Sequence, residues 1–168
     1  FKSPLMICAD RCRVFKMIRI KNITVFVLLP ILIGGVIYIV SRPKSLKMFK
    51  WFENLNINKL TNSIRVEFIH IDYPYWVKYN LPDFLWVFSF TSLMLIIWNK
   101  KIIKENIYYI LFPVSVGIFS EIGQLFSIIN GTFDLMDIMF YSFGGLLSTL
   151  IFINSKSNKN EKTSTSLI

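Results

Sequence analysis

Cysteine and histidine are scarce in this chain of 168 residues, which contains two cysteines, Cys8 and Cys12, and one histidine, His70. Structural zinc sites take four Cys or His ligands. The two cysteines have no further ligand of either type near them, so we interpret them as incidental thiols and expect no metal or other cofactor. The apolar segments contain no histidine, no HExxH motif and no Ser/His pair, which argues against the common hydrolytic sites.

Charged residues are also few, at 17% of the chain, whereas hydrophobic residues make up 54% and include 16 phenylalanines. That composition is too apolar for an ordinary soluble domain and indicates a polytopic membrane protein. A membrane-spanning helix needs about 20 mostly apolar residues. The sequence predicts an all-α fold with four such helices, at Ile23–Val40, Leu81–Trp98, Ile107–Ile129 and Leu135–Ile153.

Lysine and arginine are absent from the connection between the third and fourth predicted helices and frequent in the other flanking segments. In a soluble protein the net charge of +9 would suggest nucleic-acid binding. Here the cations flank apolar helices, where they bind lipid headgroups and set the topology, so no nucleic-acid partner is expected. Although the connection 41–80 is basic as well, the overall bias predicts a multi-pass protein of the cell membrane with both termini in the cytoplasm.

Composition divides the chain into three parts. Residues 1–22 form a basic cytoplasmic segment, 23–153 the four-helix membrane domain, and 154–168 a cytoplasmic tail. We expect the tail to be disordered because it has almost no apolar content. Met17, followed by basic residues and an apolar run, resembles a natural start, which suggests that residues 1–16 are non-native or disordered.

The connection between the first two helices contains an amphipathic segment. Met48, Trp51, Phe52 and Leu55 follow helical spacing, which predicts a short helix on the outer leaflet. Residues 64–71 are rich in β-branched side chains, but a lone pair of short strands would be marginally stable.

Several polar side chains interrupt the predicted membrane helices or lie at their ends. A carboxylate at the centre of such a helix costs roughly 2.5–3.5 kcal/mol on insertion scales, and chains do not usually retain that cost without a use for it. The predicted topology places these groups in the outer half of the bilayer, and helical spacing aligns those of the third and fourth helices on two facing stripes. The predicted ligand-binding site consists of Asp83, Glu121, Gln124, Asp134, Asp137 and Tyr141.

Each polar residue also has a structural interpretation. Asp134 and Asp83 fit the first turn of a helix, where a carboxylate satisfies free backbone N–H groups. Asp137 and Gln124 fit hydrogen bonds between helices. Glu121, the deepest, is the hardest to explain by structure alone. Small residues predicted to let helices approach closely are Gly117, Gly144, Gly145 and Ser148.

The arrangement of these residues resembles the VanZ-like family of small bacterial membrane proteins over roughly residues 81–148. That family has an acidic residue opening one span, a Glu-x-x-Gln in the next, then an Asp-x-x-Asp and a glycine; here these are Asp83, Glu121 with Gln124, Asp134 with Asp137, and Gly144. The chain departs from the family at Phe84, Val87, Gly131 and Tyr141, where relatives usually carry Lys, His, Arg and Asn. The resemblance implies a multi-span helical protein, in some relatives linked to glycopeptide resistance, and no defined reaction.

Three functions are open at this point. An acidic pocket without a compensating cation would bind a cationic or hydroxyl-rich group of a lipid, a lipid-linked cell-envelope ligand or a partner helix. A membrane enzyme would use Glu121 as a general base, or clustered carboxylates as ligands of a divalent cation, to act on a lipid-linked substrate. A structural subunit would be covered by other chains or by further copies of itself. Membrane lipids are expected partners in all three cases.

Overall fold

The structure, a computed structural model, describes residues 17–44, 47–68, 71 and 73–165. The predictions for residues 1–16 lie outside this range, as do Cys8, Cys12 and His70. Within it the chain is helical and contains no strand, which confirms the all-α class. The helices are α1 (Met17–Ser41), α2 (Lys47–Asn54), α3 (Asn58–Phe68), α4 (Tyr75–Tyr79), α5 (Leu81–Ile97), α6 (Ile107–Leu125) and α7 (Leu135–Thr165).

Within the described residues, three helices are long and apolar enough to cross a membrane: α1, α6 and the part Leu135–Asn154 of α7. Helix α5 is also apolar but has only 17 residues. At 1.5 Å per residue it is about 25 Å long, shorter than the ~30 Å hydrocarbon core of a bilayer. The chain thus has the helices of a multi-pass membrane protein, with three candidate spans where the sequence predicts four.

Helix α6 ends four residues before its predicted end at Ile129. The chain leaves the helix after Leu125, and Ser127 adopts a left-handed backbone with φ 55°. The N–H of Ile128 donates to the carbonyl of Gly123 at 2.9 Å, the long return bond that closes many helix C-termini. Apolar composition alone predicts a longer helix because it contains no signal for this turn.

Helix α5 lies at the centre of the bundle, where it packs against α1, α6 and α7, while α6 also packs against α7. Many apolar side chains on the outer faces are exposed, such as Tyr108 and Phe119. In a membrane protein such faces contact lipid. The apolar core at one end of the bundle consists of Val27, Leu95, Ile96, Ile110 and Phe152.

Helices α5 and α7 approach closely where their facing residues are small. A Cβ atom on Gly144 would lie 2.8 Å from the carbonyl oxygen of Phe84, and Ser148 shares a buried 2.9 Å hydrogen bond with Ser92. The predicted role of Gly144 and Ser148 in close packing is confirmed by these contacts.

Gly144→Ala is expected to lower the free energy of unfolding by about 1–3 kcal/mol, because its methyl group would push the α5 backbone away from α7. The control is Gly35→Ala on α1, where an added Cβ meets nothing within 4 Å. Thermal unfolding of both variants in the same detergent checks this difference. Equal melting temperatures for the two variants would contradict the close approach.

The connection between α1 and α5 is built from three short helices. The predicted amphipathic helix corresponds to α2, and its place on the outer leaflet stays a prediction. The β-branched stretch that begins at Ile64 lies in α3 up to Phe68, since no strand within the described residues is present to pair with it. Arg65 of α3 donates from Nη1 to the carbonyls of Ile39 at 3.0 Å and Arg42 at 2.8 Å. These bonds fasten α3 to the end of α1.

Helix α7 continues to Thr165, beyond its predicted membrane part. The structure describes residues 154–165 as part of this helix, and the predicted disorder of the tail stays a prediction. Once a helix has formed, each further residue adds a hydrogen bond without a new nucleation step, and lysine and glutamate favour helix. The division into domains stays a prediction.

Candidate functional site

The helix order brings the predicted site residues to one end of the bundle. Helix α1 ends at Ser41, α5 begins at Leu81, α6 ends at Leu125 and α7 begins at Leu135. Because neighbouring helices run in opposite directions, these four ends lie together. The predicted site residues of α5, α6 and α7 therefore share one polar region. The contacts of each residue in this region are different.

Glu121 is the buried centre of this region, with a side chain that is 2% exposed. Its Oε1 accepts a 3.0 Å hydrogen bond from Nε2 of Gln124, one helical turn away. Its Oε2 accepts a 3.1 Å bond from the backbone N–H of Asp134, across the turn between α6 and α7. Both carboxylate oxygens thus have a partner within the protein, and the side chain ties the end of α6 to the start of α7.

Gln124 and the turn residue Gly131 lie against each other. A Cβ atom on Gly131 would fall 2.3 Å from Oε1 of Gln124, and the residue has φ +156°. Only glycine allows the turn to pass so close to the glutamine side chain. This position therefore needs the smallest residue.

Asp134 caps helix α7. Its Oδ1 accepts a 2.8 Å hydrogen bond from the backbone N–H of Met136, the second residue of the helix. This is the N-cap geometry that satisfies one of the free N–H groups of a helix start. The structural interpretation of Asp134 is confirmed by this bond.

Asp137 is paired with an asparagine that the sequence analysis missed. Nδ2 of Asn80 donates to Oδ1 of Asp137 at 2.6 Å, and Asn80 is 1% exposed. Asn80 precedes α5 and joins its start to the first turn of α7. The available sequence signal was an asparagine directly before the Leu-Pro start of a helix. Nothing in the sequence identifies its partner Asp137, which lies 57 residues further along the chain.

Tyr141 packs its ring against α6 at the position of Gly117. A Cβ on Gly117 would lie 2.7 Å from the ring, so the glycine makes room for the tyrosine. The ring centres of Trp86 and Tyr141 lie 6.2 Å apart. Tyr141 is 6% exposed and links α5, α6 and α7 below the carboxylates.

Asp83 lines a cleft of about 450 Å³ on the side of the bundle. The cleft lies between α1, α2 and α5, and apart from Asp83 its walls are mainly apolar. Its remaining walls are Ile31, Gly34, Gly35, Tyr38, Ile39, Phe52, Pro82 and Trp86. A mainly apolar cleft with a carboxylate in its wall can hold an apolar chain that carries a polar group.

Arg42 corrects the expectation that the acids lack a compensating cation. It follows the last residue of α1 and interacts electrostatically with Asp83 and Asp137. Its guanidinium carbon lies 5.3 Å from the ring centre of Tyr38 and 4.9 Å from that of Tyr79. In the sequence Arg42 belongs to the basic connection 41–80, and its distance along the chain from Asp83 and Asp137 conceals their proximity in the fold.

Within the part of the chain that the structure describes, no three His, Cys, Asp or Glu side chains are grouped to hold a metal ion. Comparisons with family models, with curated proteins and with solved structures found no match. The resemblance to the VanZ-like family therefore stays a hypothesis that rests on the residues named above.

Proposed function

We propose that this chain is a VanZ-like protein of the bacterial cell membrane that binds a lipid or a lipid-linked cell-envelope ligand. In this proposal α5 completes a bundle of four membrane helices, both termini are cytoplasmic, and the polar end lies in the outer half of the bilayer. The ligand's apolar chain lies in the α1–α5 cleft. The observation that carries the proposal is that cleft of about 450 Å³, whose walls are mainly apolar and include the carboxylate of Asp83.

The walls of the cleft support an apolar occupant. All of them except Phe52 of α2 belong to the apolar helices α1 and α5, of which α1 is a candidate membrane span, so lipid chains surround the opening. Gly35 leaves open space, since a Cβ there would meet nothing within 4 Å. A lipid chain that enters the cleft buries its own apolar surface together with that of α1 and α5. At Gly35 it displaces no side chain.

The polar residues divide into two roles under this proposal. Asp83 accepts hydrogen bonds from the ligand's polar group, because it lies in the wall of the cleft. Glu121, Gln124 and Asp134 hold the turn between α6 and α7, and Asp137 joins α7 to Asn80. The proposed ligand contacts are therefore fewer than the six residues of the site predicted from the sequence.

Gly35→Leu tests the proposal by filling the cleft from its wall. Native mass spectrometry of protein purified in mild detergent measures the lipid that remains bound. The variant is expected to lose that lipid, while the fold persists because leucine is a better helix former than glycine. The control is Leu32→Phe, which adds bulk on the same helix at a side chain that is 67% exposed.

Equal retention of lipid by Gly35→Leu and by the unchanged protein would contradict the proposal. Replacement of the lipid by a stoichiometric second protein chain would favour the structural-subunit alternative.

The proposed orientation predicts which connections react with a membrane-impermeant thiol reagent. In a background with Cys8 and Cys12 replaced by serine, a cysteine at Asn130 is expected to be labelled in intact cells. A cysteine at Lys101 is expected to react only after the membrane is opened, because basic connections stay in the cytoplasm. Both positions are exposed. The reverse pattern of labelling would place the polar end at the cytoplasmic side.

A further inference from the structure

Arg42 is held in place by contacts that leave its buried Nε atom without a hydrogen-bond partner. Its backbone N–H donates to the carbonyl of Tyr38 at 3.1 Å, and its own carbonyl accepts from Nη1 of Arg65 at 2.8 Å. These bonds fix the point where the side chain leaves the end of α1. The side chain itself therefore starts from a rigid position beside the cleft.

The guanidinium group lies over two aromatic rings, those of Tyr38 and Tyr79, at 5.3 and 4.9 Å from the ring centres. Such contacts engage the faces of the planar group and leave the N–H groups at its edges to bind acceptors. The Nε atom is buried and has no hydrogen-bond partner. A buried donor without an acceptor is unfavourable, so this atom points to an acceptor that a ligand brings.

The guanidinium is next to the cleft rather than inside it. Tyr38, over which it lies, is itself a wall of the cleft, and so is Asp83, with which Arg42 interacts electrostatically. The cleft thus has a carboxylate in its wall and a cation beside it.

We propose that Arg42 binds the phosphate group of a lipid whose apolar chain occupies the α1–α5 cleft. This inference rests on the proposed function and names its ligand class, a phosphate-bearing lipid. The planar guanidinium donates two parallel hydrogen bonds to phosphate oxygens, a geometry that a lysine ammonium does not offer. Asp83 accepts a hydrogen bond from a hydroxyl or ammonium group of the same headgroup. The arrangement recognises the lipid by its phosphate as well as by its chain.

The test compares phosphatidylglycerol with diacylglycerol of the same acyl chains, each added to delipidated full-length protein in detergent and measured by native mass spectrometry. The unchanged protein is expected to bind phosphatidylglycerol about tenfold more tightly, as charge-assisted hydrogen bonds predict. Arg42→Gln is expected to remove that preference and to keep diacylglycerol binding. The control Lys44→Gln removes a charge two residues away, where Nζ donates to Oδ1 of the exposed Asn62 at 2.8 Å, and is expected to keep the preference.

The outcomes separate the two proposals. A full phosphate preference in Arg42→Gln overturns the role of Arg42, while loss of both lipids in Gly35→Leu still supports the cleft. Retention of both lipids by Gly35→Leu overturns the lipid-binding role of the cleft.

If Arg42→Gln binds neither lipid, the variant Arg42→Lys decides. It is expected to bind diacylglycerol and to show a several-fold weaker preference for phosphatidylglycerol, and an unchanged preference overturns the proposal.

Water-soluble glycerol 3-phosphate distinguishes a lipid phosphate from a free one. At equal concentration it is expected to leave bound phosphatidylglycerol in place, because it cannot fill the cleft. Displacement of the lipid by glycerol 3-phosphate would assign Arg42 to a soluble anion and overturn the lipid proposal.

Discussion

Replacement of Glu121 by leucine is expected to lower the melting temperature by about 5 °C, whereas replacement by glutamine is expected to change it little. Leucine removes both acceptors and leaves the N–H of Asp134 and the amide of Gln124 without their partners. A buried unsatisfied group costs about 1–3 kcal/mol. Glutamine keeps one carbonyl oxygen for the Asp134 N–H, and the Gln124 amide can turn to offer its own oxygen.

Thermal unfolding in one detergent, followed by circular dichroism, measures this difference. The matched control is Phe119→Leu on the exposed face of the same helix, which is expected to leave the melting temperature unchanged. A Glu121→Leu variant as stable as the glutamine variant would show that the hydrogen bonds of Glu121 do not hold the α6–α7 turn.

The second large effect is expected for the pair Asn80 and Asp137. Their 2.6 Å hydrogen bond joins the start of α5 to the first turn of α7. Hydrogen bonds to a charged group contribute about 1.5–3 kcal/mol in water-soluble proteins, but bonds between membrane helices average only ~0.6 kcal/mol. We therefore expect a coupling free energy of about 1 kcal/mol between Asn80 and Asp137, a value that lies between these two estimates.

A double-mutant cycle of Asn80→Ala, Asp137→Ala and the combined variant measures that coupling. The combined variant is expected to lose less stability than the sum of the two single-variant losses, since each single variant already leaves the other partner without its bond. Additive losses within about 0.3 kcal/mol would contradict a direct bond.

Sequence patterns sufficed for the parts of the fold that depend on local composition. The apolar segments predict the long helices, and the spacing of Glu121, Asp134 and Asp137 predicts that their groups converge. The N-cap role of Asp134 follows from a carboxylate that directly precedes a helix. Each of these features depends on residues close together in the chain or on a short antiparallel connection.

The features that the sequence analysis missed depend on contacts between distant segments. Asn80 meets Asp137 only because α5 and α7 pack together, and Arg42 reaches the acids only because α1 ends where α5 begins. The early end of α6 depends on a left-handed backbone at Ser127, a conformation that its side chain does not signal. The α1–α5 cleft likewise has no sequence signal beyond Gly34 and Gly35.

Cross-linking with a lipid that carries a photoreactive diazirine near the middle of its acyl chain tests the central claim most directly. Peptide mapping after irradiation of the protein in nanodiscs is expected to find the label concentrated on the walls of the cleft, at Ile31, Phe52 and Trp86. Gly35→Leu is expected to abolish that concentration and to leave the background labelling of Phe119 and Tyr108 on exposed faces. Labelling of the cleft walls at no more than the yield of those exposed residues, unchanged by Gly35→Leu, would contradict a lipid-binding cleft.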